Sequence, residues 1–140
     1  WASEATDEYL KRLQGRLDFK VRELPPAQGV ANAEQQRERE ADALFKAHPE
    51  RAMLVALDER GKSWSTAELA NELADWQQGG RDVTLVIGGA EGLAQSVRDR
   101  AARVWSLSRL TLPHQMVRVI VVEQIYRAWS LLNHHPYHRA

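Results

Sequence analysis

Cysteine is absent from all 140 residues. That removes disulfides, thiolate metal sites and a cysteine nucleophile from consideration, and it fits a reducing, cytoplasmic setting. Long apolar runs are missing too. The most hydrophobic stretch, Met116 to Val122, is short and is interrupted by Arg118, so it does not span a bilayer. No excess of one charge is present, since acids and bases number 19 each, and bulk charge therefore gives no polyanion signal. Phosphate-binding glycine motifs are also lacking. Gly88, Gly89 and Gly92 lie between an apolar run and a helical pattern, but G-x-G-x-x-G would need glycine where Ile87 stands. Glu91 would oppose a pyrophosphate, and no Gly-Lys-Ser/Thr follows, which disfavours nicotinamide and nucleoside-triphosphate sites. A secretory signal pattern is absent, and because the chain opens at Trp1 without Met, its start is expected to be incomplete.

What is present is unevenly placed. Residues 1–100 carry 18 acids and 14 bases, whereas residues 101–140 carry five arginines against Glu123 alone. Four of the five histidines (His114, His134, His135, His138) share that final stretch. A neutral protein with a basic end can meet a polyanion locally. The simpler alternative is a solvated basic face.

The length suits one domain with a real core. Ala2 to Leu13 sets Ala5, Tyr9, Leu10 and Leu13 at helical spacing. Phe19 to Leu24 reads as a short strand closed by Pro25-Pro26. From Asn32, an N-cap candidate, a charged helix is expected to about Lys46, with Ala41, Leu44 and Phe45 inward and Arg37 to Glu40 outward. Ala52 to Leu57 is a continuous apolar run, the pattern of a strand buried on both faces, and Val83 to Ile87 (VTLVI) reads as a second buried strand. Asp58 to Ser63 reads as a polar loop, and Ser65-Thr-Ala-Glu68 as a capping box for a helix ending at Gly79-Gly80. A helix through Val97, a third strand from Val104 to Leu107, and a long helix from Gln115 to Leu132 complete the set. The order predicts an α/β fold with a mostly parallel sheet and helices on both faces.

Ligands of open parallel sheets bind beyond the carboxyl ends of the strands. Three loops are expected there: Asp58–Ser63, Gly88–Gly92 and Ser108–Pro113. Pro113 suits the first turn of the long helix, so the Trp105–His114 connection reads as a ligand-binding wall. Glycines and small apolar residues suit a cofactor without phosphates. In the tail Asn133–Ala140, His134, His135 and His138 suggest metal ligands, but Pro136 intervenes and adjacent histidines diverge, so no metal is expected. Tyr137 and His138 instead offer an aromatic face and titratable donors to an RNA base. The alternative is a frayed polar terminus. Because Pro136 ends regular structure, residues after it are expected to add little to the core.

Four segments, LVIGGAEGL (Leu85–Leu93), WSLSRLTLPH (Trp105–His114), VRVIVVEQIYRAWS (Val117–Ser130) and NHHPYHR (Asn133–Arg139), together resemble the small SPOUT-class 23S rRNA (pseudouridine-1915-N3) methyltransferase family. ALDERGKSW (Ala56–Trp64) is similar to that family's loop after an earlier strand. The resemblance covers essentially residues 1–140 as one domain, most closely from Ala52 onward. It implies a C-terminal trefoil knot, an exception to the rule that chains are unknotted. It also implies S-adenosylmethionine as cofactor, a homodimer with the knots at its interface, and a hairpin of 23S rRNA within the assembled ribosome as substrate. The cofactor walls it implies are Leu57, Gly88, Gly89, Ser108, Arg109, Leu110, Thr111, Leu112 and Pro113. The family opens with a further apolar strand and a glycine-containing turn before the segment matching Trp1, and Ala140 stands where a familiar relative ends in an acid.

Methylation at N3 requires alignment of nitrogen, carbon and sulfur, and loss of the N3 proton. The residues expected to serve it are Arg127, Tyr137, His138 and His114, with His138 as base or relay because imidazole titrates near neutral pH. Two rival readings remain: a non-catalytic RNA or ribosome binder of the same fold, and a SPOUT methylase of another RNA such as transfer RNA.

Overall fold

A computed structural model describes residues 1–14, 19–23, 33–47, 53–80, 82–88, 93–110 and 112–139. In chain order the elements are α1 (Ala2–Leu13), β1 (Phe19–Glu23), α2 (Ala33–Ala47), β2 (Met53–Ser63), α3 (Thr66–Gly79), β3 (Val83–Ile87), α4 (Gln95–Arg100), β4 (Arg103–Ser106), α5 (His114–Leu132) and a 3-10 turn at Pro136–Arg139. The four strands are parallel in the order β1-β3-β2-β4.

The period of two along the strands divides the core. Val55, Leu57, Val83, Leu85, Ile87 and Trp105 point to one face and bury with Leu13 of α1, Leu69 and Leu73 of α3, and Val121, Ile125 and Ala128 of α5. Leu54, Ala56 and Val86 point to the other and bury with Ala41 and Leu44 of α2 and Val97 of α4. The result is three layers, with α1, α3 and α5 on one side and α2 and α4 on the other. The apolar runs of β2 and β3 follow from that double burial: all five residues of β3 are buried.

Local signals act as their chemistry requires. The Ser65 side chain accepts from Glu68 N at 3.1 Å while Glu68 accepts from Ser65 N at 3.1 Å, which starts α3. Gly80, at φ 65°, ends it in the left-handed region.

Three expectations are corrected. Asp58–Ser63 is not a loop: β2 continues to Ser63, with a register shift between Leu57 and Lys62, both of which pair with Trp105. Polar residues pair there because the extension is a bulged strand beside β4, and its hydrogen bonding does not need an apolar run. Glu40 does not face outward but is buried, because it shares a helix face with Leu44 four residues on and the inward stripe is wider than the alternation suggested. The third strand lies one residue earlier, Arg103–Ser106. Asn32, Leu24 and Pro25-Pro26 lie outside the described residues.

Candidate functional site

The candidate residues from the sequence lie around the central strand β2. After β2 the chain leaves to α3 on one face of the sheet, and after the adjacent β3 it leaves to α4 on the other. Ligands of open parallel sheets bind where neighbouring strands send the chain to opposite faces. Leu57 of β2 is flanked in register by Ile87 of β3 and Trp105 of β4, so Gly88 follows on one side and Ser106–Ser108 on the other. Leu57 is buried, Gly88 and Ser108 are half-buried, and Arg109, Leu110 and Pro113 are exposed. Leu57 belongs to the core cluster, and Gly88 presents only backbone. Gly89 and Thr111 lie outside the described residues.

Two devices hold the second half of β2 against α4 and β4. The β2 bulge is tied inward by Asp58, whose Oδ1 accepts from Arg60 N at 2.9 Å and whose Oδ2 accepts from Arg98 Nη1 at 3.3 Å. The same Arg98 nitrogen donates to Leu93 O at 3.0 Å, so one guanidinium joins the bulge to the start of α4. Gly61 then lies directly on β4: a Cβ there would stand 2.5 Å from Val104 O and 2.8 Å from Trp105 N. Only glycine permits that approach. Behind it Trp64 stacks on Trp105, with centroids 5.3 Å apart.

The wall after β4 is shaped by its serines. Ser106 Oγ donates to Ser108 O at 2.9 Å, and Ser108 Oγ accepts from Leu110 N at 3.0 Å. Leu110, in that turn, is 73% exposed, and Met116 is exposed near the start of α5. His114 opens α5; its side chain lies outside the described residues.

The tail residues gather elsewhere, on the α1–α5 pair. Asn133 N bonds Trp129 O at 3.0 Å, His135 N bonds Ser130 O at 2.8 Å, and His134 takes φ 57° to reverse the chain. His135 Nδ1 accepts from Tyr137 N at 3.3 Å. The Tyr137 hydroxyl donates to Glu123 Oε1 at 3.1 Å and lies 2.9 Å from the Tyr9 hydroxyl, while its ring meets Tyr126 edge-on at 4.6 Å. Arg127 donates to the same Glu123 Oε1 through Nε at 3.0 Å and Nη2 at 2.7 Å. The expectation that residues beyond Pro136 add little to the core is therefore overturned: Tyr137 packs against the larger core cluster and is hydrogen-bonded to α5. A tyrosine pays for its place in an apolar contact by finding a partner for its hydroxyl, and here that partner is charged.

Electrostatics follow the same contacts. Burial, then the hydrogen bond with Tyr9 and the Glu123 charge, push the Tyr137 phenol well above the ordinary tyrosine range. The bond to Glu123 raises the Arg127 guanidinium above its already high value. Arg127 thus remains a cation and Tyr137 a neutral hydroxyl at any physiological pH. Of the residues singled out in the sequence, Leu57, Gly88, Ser108, Arg109, Leu110, Leu112 and Pro113 belong to the sheet-end group, and Arg127 and Tyr137 to the tail group. The side chain of His138 lies outside the described residues. Sequence reasoning missed Glu123, Tyr9, Gly61 and the Asp58–Arg98 pair. Glu123 was readable as the i,i+4 partner of Arg127. Tyr9 was not, because its contact with Tyr137 spans 128 positions. Among the described residues no helix is long and apolar enough to cross a membrane.

A parallel sheet with helices on both faces and a serine-shaped turn between β4 and a long helix defines an α/β domain. Residues 1–138 match the family described as "Predicted SPOUT methyltransferase", and the chain belongs to the SPOUT methyltransferase family. It is similar to three proteins named Ribosomal RNA large subunit methyltransferase H. That of Thioalkalivibrio sulfidiphilus is 49% identical over 141 residues, covering 99% of this chain and 90% of the relative. That of Methylococcus capsulatus is 48% identical over 141 residues, covering 99% and 91%. That of Burkholderia mallei is 49% identical over 148 residues, covering 100% and 91%.

Proposed function

We propose that this chain transfers a methyl group from S-adenosylmethionine to N3 of the pseudouridine at position 1915 of 23S ribosomal RNA, in the assembled ribosome. We place it in the cytoplasm as a homodimer with a knotted C-terminal half. The observation that carries the reading is the near-half identity, along almost the whole chain, to proteins named as large-subunit ribosomal RNA methyltransferases. The residues agree with it in chemistry: Leu57 and the Gly88 backbone suit an adenosine without phosphates.

S-adenosylmethionine, when bound, supplies an electrophilic methyl group on a sulfonium. The chain's own residues do the remainder. In this reading Leu57, Gly88, Gly89 and the Ser108–Pro113 wall, including Arg109, Leu110, Thr111 and Leu112, enclose the donor and exclude water. Arg127, kept cationic by Glu123, favours the imide anion that N3 becomes once its proton leaves. His138, next to the anchored Tyr137, takes or relays that proton, and His114 stands at the junction of wall and helix. Leu110, exposed before α5, and Met116, exposed in its first turn, form part of the dimer contact, which brings the tail of one subunit to the donor site of the other.

Two measurements test this reading. Calorimetry with S-adenosylmethionine should give one site per chain, and light scattering at micromolar concentration should give about twice 15.9 kDa. A monomer that binds no methyl donor would overturn it.

A further inference from the structure

We infer that Tyr9 of α1 is a positioning residue for methyl transfer, acting through Tyr137 on the tail turn that carries His138. The inference rests on the reading of the tail as part of the site.

The direction of the hydrogen bonds supports it. A tyrosine hydroxyl has one proton, and that of Tyr137 goes to the Glu123 carboxylate, which only accepts. Tyr9 must then donate across the 2.9 Å contact. The chain runs from Tyr9 to Tyr137 to Glu123, and Arg127 donates to the same oxygen from the far side. Each bond polarises the next, so the order has a fixed sense.

A packing role alone would not need it. The rings of Tyr9, Tyr126 and Tyr137 meet tilted or edge-on, at 4.6–6.3 Å between centroids, and phenylalanine at position 9 would keep those contacts. Arg12, held by Glu8 at 3.0 Å, lies over all three rings and keeps α1 in place against them. What the Tyr9 hydroxyl adds is a fixed rotation of Tyr137. Pro136 fixes one side of Tyr137 in the 3-10 turn, and His138 is the next residue of that turn. A small reorientation of Tyr137 therefore moves His138, and misplacement of a reacting group by about 1 Å costs on the order of a hundredfold in rate.

The test is Tyr9→Phe in the full-length protein, with ribosomes as methyl acceptor. The expected result is a kcat lower by about tenfold, with the KM for S-adenosylmethionine, the melting temperature and the dimer unchanged. The double variant Tyr9→Phe/Tyr137→Phe should be no slower than Tyr137→Phe alone, since both remove the same bond. Unchanged kcat in Tyr9→Phe, a multiplicative double variant, or equal losses in melting temperature and donor binding would each overturn the inference. His138→Ala separates the two levels. If it abolishes activity while Tyr9→Phe leaves kcat unchanged, this inference alone falls. If it retains full activity, the tail reading falls and the inference with it.

Discussion

Replacing Glu123 by alanine should be far more damaging than loss of an ordinary surface ion pair. Its Oε1 accepts from Arg127 Nε, Arg127 Nη2 and the Tyr137 hydroxyl, and Oε2 accepts from Gln124 at 2.8 Å. The pair is only 23% and 17% exposed. A fully exposed pair contributes at most about 1 kcal/mol, and breaking a fully buried one costs about 3–5 kcal/mol. The geometry places this one between, at about 2–3 kcal/mol. For a chain of this size that lowers the melting temperature by about 6–15 °C. Differential scanning calorimetry at fixed protein concentration reads it directly. Glu123→Gln, which keeps an acceptor for Tyr137 but not the charge, should fall in between. The loss should be constant through neutral and mildly alkaline pH. A raised cation pKa gives stability that is full below the ordinary arginine value and disappears only as pH rises past it. A shift corresponding to less than about 0.5 kcal/mol, the value of an exposed pair, would refute the reasoning.

The other predictions are narrower. Gly61→Ala forces a Cβ to within 2.5 Å of Val104 O and should destabilise by about 1–3 kcal/mol; chemical denaturation at parent stability would show that the bulge does not need glycine. Ultraviolet titration of the three tyrosines should show Tyr137 resisting ionisation. Because its folded pKa is raised, the associated stability is complete below the ordinary tyrosine value and declines as pH rises beyond it; ionisation of all three together in the native protein would contradict that. Gly89→Val should abolish S-adenosylmethionine binding by calorimetry while circular dichroism stays native, and retained binding would remove Gly89 from the proposed wall.

Much of this architecture was readable in the residues. β3 announced itself as four apolar residues around Thr84 between Asp82 and Gly88, and α3 by its capping box, because in both cases the signal and its cause lie within a few positions. β2 misled for the opposite reason. Asp58, Glu59, Arg60, Gly61 and Lys62 look like a loop, and only the approach of Gly61 to the β4 backbone, more than forty positions away, makes them part of a strand. Glu40 was misplaced because a charge next to Ala41 is read as solvent-facing until its alignment with Leu44 is considered. Of the three expected loops Asp58–Ser63 is strand, and the tail was read as peripheral because nothing local to Pro136–Arg139 reports that Tyr9 and Glu123 wait for the Tyr137 hydroxyl.

The most direct test of the account is mass spectrometry of the RNA itself. Ribosomes lacking the modification are incubated with the protein and S-adenosylmethionine, and the 23S hairpin is then released and fragmented. The account predicts one added methyl group, on N3 of a single pseudouridine, with little incorporation into free 23S RNA. Donor binding without methylation of any ribosomal RNA, or methylation of transfer RNA instead, would contradict it.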